Sequence, residues 1–573
     1  MKKKRRVKKK IKKVFILIFF LLLLLFILFV GLNFFFKKTN VALLDKPVDA
    51  YLSSIEEKVK TVDEEFNESD EIYRGEKVQK FKKKIVKEET EEEFIKIKYK
   101  NKTYYVKEDN ISLKEQESIK EDKIYVRTPL VLYKEKDDIS ILTSIKKGEE
   151  LSVLGFDKID KGKVNKYYVS YNDKKGYVYS KYTLQSSEEA NLPYDQDGIY
   201  KVHSERTDRY GGGSAANLDY YPEDKIKIDG NEMPTEAKTL YINAAAIKDV
   251  DSYIKIAKDS GINAFVVDIK DNTAPGYDAE TFKELSETNY NKALNKKEDY
   301  KSYIKKLKDE GFYVIGRITA FKDNYYATDH KENSILDTRT GNQFVHNHSY
   351  WPSAFKREVW EFNVRLAIES VKDIGFNEIQ FDYVRFPDKT GSLEKQGIMD
   401  MRNEYKEEKA QALQQFLMYA RDEIHEVGAY VSADVFGESA NNYVTAYGQY
   451  WPAISNVVDV ISAMPYPDHF NMYEYGFKVP VWTIPYELMK KWGETAKARQ
   501  DEIKSPAIAR TWIQAYNTIR SPYITYDATK IEEQIKGLYE SGLDGGYITW
   551  NSGSSIDKYN TLKPAFRKEL KNG

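Results

Sequence analysis

From residue 237 onwards, short apolar runs alternate with longer segments in which apolar residues recur every three or four positions. The short runs predict β-strands and the longer segments predict amphipathic helices. Several helical segments end in glycine, as "VDSYIKIAKDSG" and "YKSYIKKLKDEG" do, which is typical of a helix C-terminus. Eight strand–helix units favour a (β/α)8 TIM barrel over a doubly wound sheet, because no glycine-rich phosphate loop follows the first strand. The barrel is predicted over residues 237–570, with strands at 239–247, 263–271, 312–321, 378–386, 429–437, 457–466, 507–516 and 545–551.

The N-terminal segment has a different pattern. Ten of the first thirteen residues are Lys or Arg, and residues 14–36 are uncharged and almost wholly apolar. A helix of this length spans a hydrocarbon core of about 30 Å. Basic residues before the span predict a cytoplasmic head at 1–13, with the remaining domains outside a single-pass membrane anchor. The alternative is a cleaved signal peptide, but the apolar run exceeds the usual length of about 7–15 residues.

Between the anchor and the barrel, short β-type runs are spaced alike in two consecutive segments. Gly75 and Glu76 in the first segment correspond to Gly148 and Glu149 in the second. This spacing predicts two small all-β modules, which we expect to fold independently of the barrel. The second resembles bacterial SH3-like domains, which implies contact with cell-wall peptide or glycan; a simple spacer is the alternative. The predicted boundaries are a stalk at 37–68, modules at 69–122 and 123–186, and a linker at 187–236.

Charge and composition exclude several classes of function. Residues 39–573 carry 78 basic and 90 acidic side chains, which disfavours nucleic-acid binding. The chain contains no cysteine, so disulfides, thiolate catalysis and cysteine-bound zinc are excluded. No cofactor is predicted.

Carboxylates at predicted strand ends are the candidate catalytic groups. In "EIQFDYVRFP", Ile379 and Phe381 would face the helices while Asp382 points into the barrel. Asp434 in the fifth strand and Asp268 in the second have equivalent positions. The carboxyl ends of barrel strands form the rim at which barrel enzymes build their active sites. A structural ion pair is the alternative role for Asp382.

Two converging carboxylates suit glycoside hydrolysis, in which one is ionised and the other donates a proton. Arg317 or Arg385 would keep Asp382 ionised, whereas Asp434 has apolar sequence neighbours and is the better candidate for the acid. Tyr466, Trp512 and Trp550 lie at other strand ends and could stack on sugar rings.

Residues 238–568 resemble a bacterial family of glycoside-hydrolase barrels related to the α-amylase superfamily. The resemblance is carried by "VVDIKD" (266–271), "REVWEFNVRLA" (357–367), "EIQFDYVRFP" (378–387), "VSADVFG" (431–437), "YPDHF" (466–470) and "WNSG" (550–553). "RTWIQAY" (510–516) lacks the proline of the family's "RPWLQ"-like form. The resemblance implies Asp382 as nucleophile and Asp434 as acid/base, where α-amylases typically have Glu. The predicted substrate-binding residues are Asp268, Arg317, Arg385, Tyr466, His469, Arg510, Trp512, Gln514, Trp550 and Asn551.

The predicted function is therefore a membrane-anchored extracellular glycosidase that acts on a cell-wall, surface or environmental polysaccharide. Two alternatives stay open. His346 and His348, with Asp268 or Asp271, could form the metal site of a cell-wall sugar hydrolase such as a deacetylase. The barrel could also hold glycan without chemistry, as a binding scaffold.

Overall fold

The fold is taken from a computed structural model, which describes residues 2–44, 46–192 and 211–567. These residues divide into two compact units. The first contains the chain up to residue 124 together with residues 150–185, and the second contains residues 125–149 and the described chain from residue 186 onwards.

The first helix, α1, covers Lys2–Leu44. Its stretch Lys8–Asn33 contains an 18-residue window with a mean hydropathy of 3.5 and is long and apolar enough to cross a membrane, judged by length and composition. This stretch overlaps the predicted span at 14–36. An N-terminal signal sequence has the same properties.

A seven-stranded antiparallel sheet follows α1. Strands β1 and β2 lie within residues 37–68, for which the sequence predicts a stalk; that prediction is wrong from Val48 onwards. Alternate residues of these strands are buried, because Ala50, Leu52 and Val59 join the core of the sheet. The strands are β1 (Val48–Leu52), β2 (Lys58–Val62), β3 (Glu68–Tyr73), β4 (Lys77–Lys87), β5 (Glu92–Tyr99), β6 (Lys102–Lys107) and β7 (Ile111–Ser112), in the order β3-β2-β6-β5-β4-β1-β7.

A second group of short strands covers residues 123–184. The predicted module at 123–186 is divided between the two compact units, since residues 125–149 belong with the barrel. Within the first unit β11, β14 and β15 pair antiparallel, and within the second β9 and β10 form a hairpin. The strands are β8 (Lys123–Val126), β9 (Leu130–Tyr133), β10 (Ile141–Ile145), β11 (Glu150–Phe156), β12 (Ile159–Asp160), β13 (Lys163–Val164), β14 (Lys166–Tyr171), β15 (Lys174–Tyr179) and β16 (Thr183–Leu184).

The glycines that mark the predicted repeat have the same local geometry. Gly75 and Gly148 have φ angles of 82° and 84°, in the left-handed region that favours glycine. Gly75 N donates to Leu52 O at 2.8 Å, and Gly148 N donates to Val126 O at 2.7 Å. The matching turns support duplication of this β motif.

The predicted linker at 187–236 is partly structured. Helix α2 covers Ser187–Asn191, and residues 193–210 lie outside the described residues. Further on, Ala215, Leu218 and Tyr220 are buried in a cluster with residues of the barrel unit. The segment from 211 onwards therefore packs as part of that unit.

Eight parallel strand positions form the predicted barrel. The seventh is divided into two short pieces, β29 and β30, at Arg510. β29 pairs with β28 and β30 pairs with β31, so the divided strand links the two sides of a nearly closed barrel. The strands are β17 (Ala237–Ile242), β18 (Ala264–Asp271), β20 (Tyr313–Thr319), β25 (Glu378–Asp382), β27 (Tyr430–Phe436), β28 (Val460–Met464), β29 (Ile508–Ala509) with β30 (Thr511–Gln514), and β31 (Gly546–Trp550).

Helices and short strands fill the connections between barrel strands. The helices are α3 (Val250–Ser260), α4 (Glu280–Leu285), α5 (Glu287–Asn291), α6 (Lys297–Asp309), α7 (Asn324–Asp329), α8 (Arg357–Glu369), α9 (Gly391–Lys395), α10 (Lys409–Glu426), α11 (Trp451–Ser455), α12 (Pro485–Gln500), α13 (Ala528–Glu540) and α14 (Ile556–Phe566). The short strands are β19 (Ala274–Pro275), β21 (Leu336–Asp337), β22 (Asn342–Gln343), β23 (Val345–His346), β24 (Ser349–Tyr350) and β26 (Met399–Asp400).

Alternation along the fourth barrel strand follows the prediction. Phe381 faces outward and its ring lies 5.2 Å from that of Phe416 in α10, while Gln380 points inward and donates to Ser462 in β28. The strand ends at Asp382, not at the predicted residue 386. Tyr383 has a φ of 52°, and this left-handed conformation stops the extended run directly after Asp382.

The hairpin of β9 and β10 packs on the outer side of two barrel helices. Tyr419 of α10 donates to Ile139 O at 2.8 Å, and Glu361 of α8 accepts from Ile141 N at 2.7 Å. Fourteen of the eighteen residues of α10 are buried, more than the single stripe of a helix with one face in solvent. Residues 125–149 of the predicted module therefore pack with the barrel, and independent folding of residues 69–186 stays a prediction.

Candidate functional site

Arg317 is the centre of a cluster of carboxyl groups inside the barrel rim. It points inward from β20, and 3% of its side chain is exposed. Nη1 donates to Asp268 at 2.7 Å, and Nη2 donates to Asp382 at 2.5 Å. Its Nε is 3.9 Å from Oδ2 of Asp434. Three of the predicted site residues on different strands therefore surround one guanidinium, which was itself predicted.

Asp382 is held by charge and by its own backbone. Its Oδ2 accepts from both Nη2 and Nε of Arg317, and its Oδ1 accepts from Tyr383 N at 2.6 Å. A guanidinium and a peptide N–H therefore hold the Asp382 carboxyl in one orientation. The left-handed turn at Tyr383 makes that N–H available to the side chain of the preceding residue.

The environment of Asp434 differs from that of Asp382. Its side chain is fully buried, and Oδ1 accepts from Nε1 of Trp512 at 2.7 Å. Its Oδ2 is buried without a hydrogen-bond partner among the described residues. Burial, together with the charge of Asp382, raises the pKa of Asp434 well above its ordinary value. The arrangement favours a protonated carboxyl with one oxygen free to donate.

The two carboxyls are close enough for one substrate bond. Asp382 Oδ2 and Asp434 Oδ2 lie 3.1 and 3.9 Å from the same nitrogen, Nε of Arg317. They are therefore at most about 7 Å apart, which admits the roughly 5–5.5 Å of retaining glycosidases and the shorter end of the range for inverting ones.

Asp268 is a partner of Arg317 with little exposure. Its second oxygen accepts from the hydroxyl of Tyr241 at 2.5 Å, and only 2% of its side chain is exposed. Burial raises the pKa of Asp268 to about 6, although Arg317 opposes this shift. Because both oxygens are engaged, Asp268 fits a role in holding Arg317 better than the predicted contact with substrate.

The sequence predicts Arg317 or Arg385 as the partner of Asp382. In the structure, Arg385 has other partners. It donates to Phe386 O at 3.0 Å and to Asp388 at 3.1 Å, and its guanidinium lies 4.4 Å from the ring centre of Phe436. The turn at Tyr383 directs residue 385 away from the strand continuation that alternation predicts. Its pairing with Asp388 makes Arg385 a rim residue.

Aromatic side chains form one wall beside the carboxyls. Trp550 is the partly exposed member; its ring lies 4.7 Å from that of Tyr241 and 5.6 Å from that of Trp512. The ring of Tyr466 lies nearly parallel to that of Trp550, at 6.5 Å. The predicted aromatics are thus brought together, although Trp512 is 1% exposed and contacts Asp434 instead of open space.

Gln514 and His469 lie around a buried carboxylate, Asp468. Gln514 donates to Asp468 at 3.3 Å and accepts from its backbone N at 3.2 Å, so it holds the loop after β28. His469 is exposed at the rim, with its ring 5.2 Å from that of Tyr466. Asn551 donates to Ala515 O at 3.0 Å. Gln514 and Asn551 therefore fix loops, and His469 presents an exposed ring while its Nε2 lies 3.4 Å from the hydroxyl of Tyr516.

Arg510 lies at the other end of the barrel interior. It is fully buried, and its Nη1 donates to both oxygens of Glu378 at 2.9 and 3.1 Å. Glu378 is the first residue of β25, at the amino end of the strand, and also accepts from Tyr313. The predicted substrate contact of Arg510 is not supported, because its long side chain reaches an ion pair away from the carboxyl rim.

The alternative metal site is not supported either. No group of three or more His, Asp or Glu residues in the described parts of the chain is arranged to hold a metal. His346 has Asp388 as its acidic neighbour, at 3.8 Å, and is not assembled with Asp268 or Asp271.

Sequence reasoning missed three residues near the site. Tyr241 occupies an inward position near the end of the first strand, and inward alternation could have identified it. Asp468 lies inside the quoted "YPDHF" motif. Lys322 follows β20, and its Nζ lies 3.4 Å from the hydroxyl of Tyr383; no sequence signal distinguishes it from other lysines.

A nearly closed parallel barrel with paired carboxyls at the ends of neighbouring strands defines a glycoside-hydrolase-like barrel protein. The chain belongs to the family described as "Putative glycosyl hydrolase domain", whose model matches residues 239–556.

Solved structures are also similar to this chain, whereas no curated protein matches it. A hypothetical protein from Ruminiclostridium thermocellum is 30% identical, with a TM-score of 0.29, over 34% of this chain and 97% of that one. The PgaB (BpsB) glycoside hydrolase domain from Bordetella bronchiseptica is 12% identical, with a TM-score of 0.41, over 58% and 99%. The alpha-galactosidase TtGalA from Thermus thermophilus is 11% identical, with a TM-score of 0.34, over 60% and 63%.

Proposed function

We propose that the barrel hydrolyses O-glycosidic bonds of a polysaccharide, with Asp382 and Asp434 as its catalytic residues. The observation that carries this proposal is the unequal environment of the two carboxyls. Asp382 accepts two hydrogen bonds from Arg317, whereas Asp434 is buried and keeps one oxygen unpaired. Glycoside cleavage requires one carboxyl that donates a proton and a second that acts as an anion, and two neighbouring carboxyls in unequal environments suit these roles.

In the proposed reaction, Oδ2 of Asp434 gives its proton to the glycosidic oxygen as the bond to the anomeric carbon breaks. Ionised Asp382 attacks that carbon or stabilises its positive charge. Water then supplies the hydroxyl that the anomeric carbon gains, and its proton passes to a carboxylate of the pair. The balance is one glycosidic bond and one water consumed for two hydroxyl groups formed.

Arg317 has two effects in this scheme. It places a positive charge beside the Asp382 carboxyl, and its pairing with Asp268 fixes the orientation of the guanidinium. Trp550 would meet the sugar ring on the aromatic wall, supported from behind by the buried ring of Tyr466, with His469 at the outer edge. None of these steps needs a metal or cofactor.

We also propose that α1 anchors the protein in a membrane, with the basic head inside and the barrel outside. The apolar stretch Lys8–Asn33 and the basic residues before it support this orientation. A barrel in that position would meet cell-wall, surface or environmental polysaccharide, and the small β-strands between α1 and the barrel could contact cell-wall peptide or glycan.

The decisive experiment measures reducing sugar released from a panel of polysaccharides by the full chain and by two variants. Asp382→Asn should lose activity by several orders of magnitude. Asp268→Asn is the matched control, because it removes the other carboxylate that pairs with Arg317 at nearly constant shape. If Asp382 only neutralised Arg317, the two variants would lose similar activity.

Repeating the reducing-sugar assay with a chelator distinguishes the proposal from metal-dependent hydrolysis, because the proposed activity should survive chelation. A wild-type chain that binds glycan and releases no sugar from any member of the panel would instead favour the non-catalytic scaffold.

A further inference from the structure

Two neighbouring loops at the carboxyl end of the barrel carry large exposed side chains. The loop after β28 contributes Tyr473 and Tyr475, which are 58% and 37% exposed. The loop after β30 contributes Ile519 and Tyr523, which are 68% and 76% exposed. We call these four residues the rim surface. Contiguous exposed apolar groups of this kind mark ligand or partner sites more often than isolated ones do.

The rim surface lies around a packed apolar floor. Val481, Trp482 and Leu488 form the buried centre of this floor, against which Phe470, Met472, Phe477 and Ile524 pack. Tyr473 and Tyr523 directly follow and precede members of that cluster, and the ring of Tyr475 lies 6.4 Å from that of Phe470. The exposed residues therefore lie over the same apolar cluster.

Buried polar groups fix the two loops to each other. Nη1 of Arg520 donates to Phe470 O at 2.6 Å, and its guanidinium lies 4.5 Å from the ring centre of Trp482. Asp468, whose side chain is fully buried, accepts from Tyr516 at 2.9 Å and from Ile519 N at 3.2 Å. A surface held in this way is preorganised, which lowers the entropic cost of binding.

The rim surface is continuous with the carboxyl site through a run of aromatic contacts. Trp550 beside the carboxyls stacks with Tyr466, and Tyr466 contacts His469 at 5.2 Å and Tyr516 at 6.3 Å. Tyr516 bonds to Asp468, which in turn holds Ile519. Tyr466 and Asp468 in this run are buried, so these contacts link the rim surface to the carboxyl site through the interior of the loops.

We propose that the rim surface binds further sugar units of the linear glycan whose bond lies at Asp382 and Asp434. The inference rests on the proposed function and adds a direction to it. The glycan extends from the carboxyl site over the loops after β28 and β30. The four residues are uncharged, so they suit the apolar faces and hydroxyls of sugar rings. Their tyrosines supply apolar area together with a polar group, a combination that favours such contacts. The substrate is therefore an extended polymer.

The test is a binding measurement on the full chain carrying Asp382→Asn, with Asp434→Asn as a second non-hydrolysing background. Calorimetry compares cello-, xylo- and chito-oligosaccharides of two and six units. The rim variant is Ile519→Ser with Tyr523→Ser. The matched control is Ile226→Ser with Tyr221→Ser. These residues are also exposed, but Tyr221 O accepts from Asn456, which precedes β28, and Ile226 lies two residues before Ile228, whose N donates to Tyr430 at the start of β27.

For at least one series, we expect the six-unit member to bind about tenfold more tightly than the two-unit member. The rim variant should lose this gain, while the control should retain it. An equal dependence on length in the rim variant, or no dependence on length in any protein, would overturn the inference. Length-dependent binding without hydrolysis by wild type would contradict the proposed function and leave the rim surface supported.

Discussion

Asp382 and Asp434 approach the same guanidinium at unequal distances. Nη2 of Arg317 lies 2.5 Å from Oδ2 of Asp382, whereas its Nε lies 3.9 Å from Oδ2 of Asp434. The nearer carboxyl gains most of the cation's stabilisation. The farther one is governed by burial, which raises the pKa of Asp434 well above its ordinary value, so two side chains of the same type have different environments.

The asymmetry predicts a selective effect of Asp434→Asn. This variant cannot donate a proton to the leaving oxygen, so hydrolysis of a natural linkage should fall by about 10²–10⁴-fold. An aryl glycoside with a good leaving group needs less protonation and should be spared. Initial rates on both substrate types provide the measurement. Asp382→Asn is the control, because it should show no such rescue, and equal losses on both substrates would refute the acid role of Asp434.

Trp512→Phe should shift the pH dependence of catalysis. The indole N–H bonds to Asp434 and lowers its pKa against the larger effect of burial. Its loss should raise the pKa of Asp434 further, so the basic limb of the kcat/KM profile should move to higher pH. Trp550→Phe, which removes the neighbouring indole without this hydrogen bond, is the matched control. A basic limb unchanged in Trp512→Phe would show that the contact does not tune the acid.

Asp268 should make stability depend on pH. Its pKa is 3.8 in the unfolded reference and about 6 in the fold, so the folded protein binds the extra proton. This stabilisation is complete below the lower value and is lost as the pH rises through the upper one. Measuring the free energy of unfolding of wild type and Asp268→Asn between pH 4 and 7 tests this pH dependence. The difference between the two curves should change by about 2 kcal/mol across that window, because part of the total is already lost at pH 4. A constant difference would contradict the assignment.

Removing residues 125–149 should destabilise the barrel. A chain that begins near residue 190 lacks the hairpin whose Ile139 and Ile141 bond to α10 and α8. It should melt at lower temperature and bind an apolar dye, because buried faces of both helices become exposed. A chain that begins at residue 46 lacks only α1 and is the control. Equal melting temperatures for the two shortened chains would mean that the hairpin contributes little.

Protease accessibility tests the orientation of the anchor. On intact cells or protoplasts, added protease should remove the barrel and leave a fragment containing α1 in the membrane fraction. The one-sided basic charge before the apolar stretch is the physical reason. A barrel that is protected until the cells are lysed would reverse the orientation, and a barrel found free in the medium would indicate cleavage of the N-terminal segment.

The barrel could be predicted because each of its strands carries a local signal. Eight apolar runs between amphipathic segments correspond to the eight strand positions, and the predicted strand-end carboxylates Asp268, Asp382 and Asp434 lie around one guanidinium. These conclusions needed only the period of a strand and the rule that parallel strands end at one rim.

What could not be predicted depends on single backbone angles and on long side chains. Arg385 departs from the position that strand alternation predicts, because Tyr383 adopts a left-handed conformation. The neighbouring residues in the sequence do not predict that conformation. Arg510 reaches Glu378 at the opposite end of the barrel interior. The membership of residues 125–149 in the barrel unit depends on contacts across more than 200 residues, which a local pattern does not contain.

The hairpin on α8 and α10 has a consequence for the order in which the chain can fold. Its bonds to Glu361 and Tyr419 join residues separated by 220 and 280 positions. During synthesis the hairpin is translated long before α8 and α10. Its apolar side therefore stays exposed until those helices form. Contacts of such long range slow folding and expose the waiting surface to aggregation. The last stage of barrel formation is therefore a natural point for assistance by a chaperone.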